Sequence, residues 1–81
     1  MTHLKVFTAP WCNPCKSMKP ALDELSKQGV LVVQVDVDEQ KDLAAIHNVR
    51  SVPTLKLYKD AELVAVKTGA MTLAQLQEFV K

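Results

Sequence analysis

Hydrophobic positions along this 81-residue chain follow two different periods. Apolar residues are clustered or alternate in four short stretches, which predicts β-strands, and they recur at three- and four-residue steps in three others, which predicts helices. The predicted elements, in chain order, are a strand at 3–8, a helix at 13–27, a strand at 30–37, a short helix at 40–47, strands at 54–58 and 62–66, and a last helix from 72. The predicted order is therefore β-α-β-α-β-β-α.

Helix-end signals support these boundaries. Pro14 suits the first turn of the first helix, where an amide hydrogen has no partner within the helix. Gly29 follows its last turn, the usual place for a glycine. Pro20 lies inside the helix and is expected to kink it. Thr72 and Gln75 have the spacing of a capping box, so the last helix is expected to begin there.

The connections predict the architecture. The stretch 30–37 is β-branched and nearly continuous, as expected for a parallel strand covered on both faces. Strand, helix and strand in succession form a right-handed unit, and the strands at 54–66 are close enough for an antiparallel hairpin. We expect one α/β domain over 1–81: a four-stranded mixed sheet, with the first and third helices on one face and the second on the other.

This arrangement predicts which side chains are buried and which are solvated. Leu43 and Ile46 are expected to face inward from the short helix. The charged residues of the hairpin region are expected to be solvated; they are Lys56, Lys59, Asp60 and Lys67.

Charge and hydropathy exclude several classes of function. Ten basic and nine acidic residues give a net charge of +1, which offers no electrostatic basis for binding nucleic acid or an anionic membrane. The apolar runs are far shorter than the roughly 18–20 residues of a membrane span. Met1 leads directly into a strand pattern without a secretory leader. We therefore expect a soluble, cytoplasmic monomer.

The two cysteines, Cys12 and Cys15, fall where the first strand meets the first helix. A Cys-x-x-Cys at such a junction predicts a dithiol redox centre. Cys12 is expected at the helix N-terminus, which favours the thiolate that attacks disulfides, and Cys15 is expected to resolve the mixed disulfide. A buried structural pair or a zinc site is the alternative. Zinc needs four ligands, and the only histidines, His3 and His47, lack metal-ligand spacing to the cysteines. We expect no metal, and no cofactor beyond the redox-active disulfide.

The segment 11–16 resembles a known family. Its sequence, Trp-Cys-Asn-Pro-Cys-Lys, is similar to the Trp-Cys-Gly-Pro-Cys-Lys of thioredoxins and differs only at Asn13. Val52-Pro53-Thr54 resembles the cis-proline motif of that family, and Pro20 and Gly69 match its helix kink and the glycine that borders its substrate groove. The resemblance runs from Leu4 to Lys81 and lacks the family's extra N-terminal strand and helix, which gives a glutaredoxin length. It implies a thioredoxin-like fold.

This resemblance assigns roles to residues around the cysteines. Asn13 and Pro14, between the two cysteines, are expected to tune the redox potential. The residues expected to bind substrate are Trp11, Val52, Pro53 and Gly69. Trp11 is expected to shield the dithiol, although it could equally be a core residue. A cis bond before Pro53 is expected to leave the backbone N–H and C=O of Val52 free to pair with an extended substrate.

Two further positions depart from the family pattern. Thioredoxins carry a buried aspartate six residues before the first cysteine, thought to accept a proton from the second cysteine, and here that residue is Val6. The lysine that accompanies it corresponds to Gln34. Asp36, which ends the second strand on the same face as Gln34, is a candidate substitute for the aspartate. The alternative for Asp36 is a solvated carboxylate at a strand end.

The resemblance implies a thiol–disulfide oxidoreductase that reduces protein disulfides and is recharged by an NADPH-dependent, thioredoxin reductase-like enzyme. Substrate-specific reductants of ribonucleotide reductase have a similar size, so ribonucleotide reductase is one candidate substrate. A glutaredoxin-like enzyme recharged by glutathione is the first alternative, although Gly69 is a single glycine where glutaredoxins usually have a pair. A non-catalytic binding subunit with the same fold is the second.

Overall fold

The structure is a computed structural model that describes all 81 residues. Its elements are β1 (Thr2–Thr8), α1 (Asn13–Lys27), β2 (Leu31–Asp36), α2 (Lys41–Ile46), β3 (Thr54–Lys59), β4 (Glu62–Thr68) and α3 (Leu73–Phe79). The predicted order of strands and helices is confirmed.

The four strands form one mixed sheet in the order β2-β1-β3-β4. β1 pairs with β2 in parallel and with β3 antiparallel, and β3 and β4 form the predicted hairpin. β2 is therefore an edge strand, and Leu31 and Gln34 on it are exposed. The prediction that both of its faces are covered is wrong, because Leu31 and Gln34 lie on opposite faces of the strand and both are exposed.

The main core lies between the sheet and one layer formed by α1 and α3. Leu4 and Val6 of β1 and Leu55 of β3 are fully buried there, against Leu22 of α1 and Leu76 of α3. On the opposite face, the ring of Phe7 contacts His47 at the end of α2, with a centroid separation of 5.1 Å. The predicted division of the helices between the two faces is confirmed.

The inward face of α2 differs from the prediction at one residue. Ala44 is buried and Leu43 is half-buried, whereas Ile46 is 78% exposed. Leu43, Ala44 and His47 share one side of a helix with 3.6 residues per turn, and Ile46 lies outside that side. The contact between His47 and Phe7 fixes this orientation. The prediction for Ile46 is wrong.

The helix ends follow the local signals. α1 runs through Pro20, and Gly29 comes directly after its C-cap with φ +96°. Thr72 and Gln75 form the predicted capping box at the start of α3: each side chain accepts a hydrogen bond from the other residue's backbone N–H. No helix of the structure is long and apolar enough to cross a membrane.

Candidate active site

The site is built at the junction of β1 and α1. The Cys12 N–H donates to the Ala9 carbonyl at 3.1 Å, which turns the chain sharply after β1. Cys12 has extended backbone angles and is the N-cap of α1, which begins at Asn13. Pro14 lies in the first turn and removes no helical hydrogen bond there. Asn13 and Pro14 are both exposed.

Cys12 and Cys15 form a disulfide with their Cα atoms 5.3 Å apart. The Cys15 N–H donates to the Cys12 Sγ at 3.2 Å, so this sulfur serves as the side-chain cap of α1. Both residues are buried, at 4% exposed for Cys12 and 1% for Cys15. Burial distinguishes them only slightly. Position distinguishes them clearly, because the Cys12 sulfur faces the helix N-terminus, where a negative charge is stabilised.

The Val52–Pro53 loop completes one side of the site. Val52 packs against the cluster of Ala9, Cys12 and Cys15, and the Val52–Pro53 bond is cis. Neither backbone group of Val52 forms a hydrogen bond within the chain. An unpaired N–H and C=O beside the disulfide can pair with another polypeptide.

Gly69 is connected to the site by a hydrogen bond to Pro53. Its N–H donates to the Pro53 carbonyl at 2.9 Å, and its φ of +92° belongs to the region that favours glycine. The structure therefore brings Gly69, Val52 and the cysteines together, as the resemblance implies.

Trp11 lies on the surface beside the disulfide, at 65% exposed, so it is not a core residue. Its Nε1 donates to the Asp38 Oδ2 at 2.9 Å. A groove of about 140 Å³ runs between Trp11 and Val52 and is also lined by Arg50. Sequence reasoning missed Asp38 and Arg50, because no local pattern shows that these loop residues meet at the cysteines.

The position of the family's buried aspartate is apolar in this structure. Val6 is fully buried, and its partner on β2, Gln34, is exposed. Asp36, by contrast, lines a cavity of about 150 Å³ together with Cys15, Lys16 and Lys19. The structure therefore places the Asp36 carboxylate and the second cysteine in one cavity.

Local backbone contacts hold Asp36 in place. Its Oδ1 accepts the N–H groups of Asp38 and Glu39 at 2.8 and 3.3 Å. This turn also contains Asp38, whose carboxylate accepts the hydrogen bond from Trp11.

Both histidines lie away from the disulfide. His3 stacks on Tyr58 with a centroid separation of 4.6 Å, and His47 is half-buried between Phe7 and Lys56. Burial, and then the positive charges of Lys56 and Lys5, lower the pKa of His47 below its usual 6.5. No group of His, Cys, Asp and Glu residues is arranged to hold a metal ion.

A family model described as Thioredoxin matches residues 2–81. The chain belongs to the thioredoxin family. As a thioredoxin-family protein with both cysteines of the Cys-x-x-Cys motif, it is a thiol–disulfide oxidoreductase, and its redox group is that disulfide. The fold and the family predicted from the sequence are confirmed.

Thioredoxins from several bacteria are similar to the chain. It is 40% identical to the thioredoxin of Buchnera aphidicola subsp. Acyrthosiphon pisum and 43% identical to that of Haemophilus influenzae, each over 77 residues. These matches cover 91% of this chain and 71% and 72% of those thioredoxins. Among solved structures, a mutant thioredoxin from Halobacterium salinarum NRC-1 is similar, with a TM-score of 0.92 and 36% identity. That match covers 98% of this chain and 71% of the other.

Proposed function

We propose that this thioredoxin-family protein reduces disulfides in other proteins, in a reducing cytoplasm, with electrons supplied from NADPH by a thioredoxin reductase-like enzyme. The observation that carries this proposal is the position of the Cys12 sulfur, at the N-terminus of α1 and beside the unpaired backbone of Val52. The disulfide of a protein substrate can react with the Cys12 sulfur while the backbone of the substrate pairs with Val52. Ribonucleotide reductase is one such substrate.

The proposed reaction has two displacements. In the reduced protein, the Cys12 thiolate attacks one sulfur of the substrate disulfide; that S–S bond breaks, and the other substrate sulfur leaves as a thiolate and takes up a proton. Cys15 then loses its proton and attacks the Cys12 Sγ of the mixed disulfide. The second substrate sulfur leaves, and the disulfide between Cys12 and Cys15 forms. Two electrons have then passed to the substrate.

Substrate binding in this proposal uses the groove beside the disulfide. Val52 pairs with an extended segment of the substrate through its free N–H and C=O. Trp11 offers its exposed ring, oriented by Asp38. Pro53, which follows Val52, and Gly69, which donates to the Pro53 carbonyl, are proposed to contact the same substrate segment. Asn13 and Pro14, between the cysteines, tune the redox potential.

Asp36 is the proposed acceptor of the Cys15 proton. Cys15 is almost fully buried, and Asp36 is the only carboxylate that lines the cavity shared with it. The cavity volume of about 150 Å³ exceeds the roughly 10–15 Å³ of accessible space that one water molecule requires, so water can carry the proton between the two groups.

The proposal is tested by following NADPH consumption during reduction of a protein disulfide. One assay contains thioredoxin reductase, and the other contains glutathione and its reductase; Cys12→Ser is the blank in both. We expect turnover with thioredoxin reductase. Turnover with glutathione alone would make the chain glutaredoxin-like in its recharging, and turnover with neither would favour a non-catalytic binding subunit.

The order of the two cysteines has its own test. Cys15→Ser should leave the first displacement intact and stop the second, so a mixed disulfide with the substrate should accumulate at Cys12. Mass spectrometry of the trapped product identifies the bonded cysteine. A trapped product in Cys12→Ser, through Cys15, would reverse the assigned roles.

The role of Asp36 is tested with Asp36→Asn. The amide oxygen of asparagine can still accept the two backbone N–H bonds, so only the proton-accepting charge is lost. We expect the second displacement to slow by about 100-fold, the lower end of the contribution of general base catalysis, and its pH–rate profile to shift. The matched control is Asp23→Asn on the exposed side of α1. An unchanged pH–rate profile in Asp36→Asn would exclude this role.

A further inference from the structure

A second cavity lies between the segment 47–51, which follows α2, and the strands β3 and β4, on the face of the sheet opposite α1. Its volume is about 240 Å³, and three of its lining side chains are basic: His47, Arg50 and Lys56. Serine and threonine hydroxyl groups and the amide of Asn48 line the rest of its polar wall, and no carboxylate does. A cavity with several donors and no acidic group suits an anion.

The positive charge at this cavity is not neutralised within the chain. Lys56 on β3 stands directly opposite Lys5 on β1 in the antiparallel register, so both side chains lie on the face that α2 covers. Like charges directly opposite one another destabilise a sheet. The chain has two ion pairs, each involving a terminal residue, and neither includes Lys5, Arg50 or Lys56. The charge of this group is therefore free for a ligand.

Lys56 is held in place for such a contact. Its Nζ donates to the backbone carbonyl of His47 at 2.7 Å and lies 3.4 Å from the His47 Nδ1. An ammonium group has three N–H donors, so a further donor remains for a ligand. The lowered pKa of His47, caused in part by Lys56 and Lys5, agrees with a positive potential at this point.

The cavity is continuous with the substrate groove. Val49, Arg50 and Ser51 line both the cavity and the groove between Trp11 and Val52. A polypeptide that pairs with Val52 therefore passes the mouth of the cavity.

We propose that this cavity, the anion pocket, binds the carboxylate of an acidic side chain close to the disulfide of the protein substrate. This inference rests on the proposed function and specifies its substrate class: disulfide proteins with Asp or Glu beside the reactive cysteine. Arg50 and Lys56 provide the charge, and the hydroxyl groups of Ser51 and Thr68 provide further hydrogen bonds, whereas that of Thr54 donates to the Ser51 carbonyl.

Anion binding is tested without turnover, with sulfate as the probe. The NMR signals of the two histidine rings are followed during exchange of chloride for sulfate at constant ionic strength. We expect a saturable shift of the His47 signals and none of the His3 signals. Arg50→Gln should weaken the binding at least threefold without disturbing α2, and Lys27→Gln, at the far end of α1, should leave it unchanged. Shifts that are absent, or equal in wild type and Arg50→Gln, would overturn the proposal.

Substrate choice is tested with two disulfide peptides that differ only by Glu or Gln at the positions flanking the cysteine. We expect kcat/KM to be about fivefold higher for the Glu peptide at low salt, the upper range for a partly solvated ion pair. The ratio should approach one in Arg50→Gln and stay at the wild-type value in Lys27→Gln.

The two proposals fail in different ways. A ratio of one in a wild type that reduces both peptides would overturn the anion pocket and leave the proposed function intact. Absence of turnover with either peptide would refute the proposed function, and the sulfate titration would then decide whether the anion pocket exists.

Discussion

At the residue scale, Val6 stands where thioredoxins carry a buried aspartate. Val6 is fully buried among Leu4, Leu22 and Leu55, and no charged side chain of the protein is buried. An ionised carboxylate there would have no partner, and burial of an unpaired charge is costly. In the proposed mechanism Asp36, the last residue of β2, accepts the proton instead.

Val6→Asp tests this account. We expect the variant to lose at least about 3 kcal/mol of the free energy of unfolding at pH 7. Burial should raise the pKa of the new carboxyl above its unfolded value, so the folded state binds more protons and the loss should grow as the pH rises through that interval. Denaturant unfolding at pH 4, 5.5 and 7 measures it. Val6→Asn is the control, because its loss should not depend on pH. A stable Val6→Asp protein at pH 7 would show that the site tolerates the family's aspartate.

At the scale of single elements, α3 depends on its N-terminal cap. The helix has only seven residues, and Leu76 is its one fully buried side chain. Short helices gain little from propensity alone. The reciprocal bonds of Thr72 and Gln75 therefore matter for its start.

Thr72→Ala should lower the free energy of unfolding by about 1 kcal/mol, the usual cost of losing a side-chain cap. The midpoint of urea unfolding should fall while the slope stays constant, because the buried surface does not change. Thr72→Ser retains the hydroxyl acceptor and should differ little from wild type. An equal loss in both variants would mean that the methyl group, and not the cap, is responsible.

The contact between α2 and the sheet should be sensitive to pH. The pKa of His47 is lowered, so below about pH 6.5 the unfolded chain binds more protons than the folded one. Stability should consequently fall as the pH drops from 7.5 through the folded pKa of His47. Thermal unfolding between pH 7.5 and 5 measures this, with His47→Gln as the comparison. A slope as steep in His47→Gln as in wild type would assign the effect to other groups.

The sequence predicts the limits of single elements better than it predicts how the elements pack together. The limits of α1 follow from local chemistry, since Pro14 marks its start and Gly29 its end. The edge position of β2 and the burial of Lys56 depend instead on which strands pair, and pairing joins residues distant in the chain. The hairpin pattern predicts a solvated Lys56, yet Lys56 is half-buried against His47, because β3 lies inside the sheet.

The same limit applies to the candidate site. Cys12, Cys15 and Pro14 are adjacent in the chain, and Val52, Pro53 and Gly69 were suggested by family resemblance. The contact of Trp11 with Asp38, and the cavity that joins Asp36 to Cys15, bring together residues with no shared sequence pattern. Three-dimensional structure was needed to find them.

At the scale of the whole molecule, both edges of the sheet are open. Leu63, Val64 and Val66 on β4 are about half exposed, and Leu31 is half exposed on β2. Charged residues at an edge oppose pairing with a second copy, and Glu62 and Lys67 lie on β4. A bulge between Leu57 and Tyr58 also breaks the regular pairing of the hairpin.

We therefore predict a monomer of 9.0 kDa in solution. Sedimentation velocity over a hundredfold range of protein concentration should give one sedimentation coefficient. A coefficient that rises with concentration would contradict the prediction. Val64→Lys, which adds a charge to β4, would then show whether that edge forms the contact.

The cap of α1 by the Cys12 sulfur makes the redox centre visible to hydrogen exchange. The Cys15 amide donates to that sulfur, so its exchange with deuterium reports the state of the sulfur directly. A thiolate accepts this bond more strongly than a disulfide sulfur, because charge-assisted hydrogen bonds are stronger. The amide of Cys15 should therefore exchange more slowly after reduction. The exchange rate of this one backbone hydrogen then reports whether the protein is reduced or oxidised.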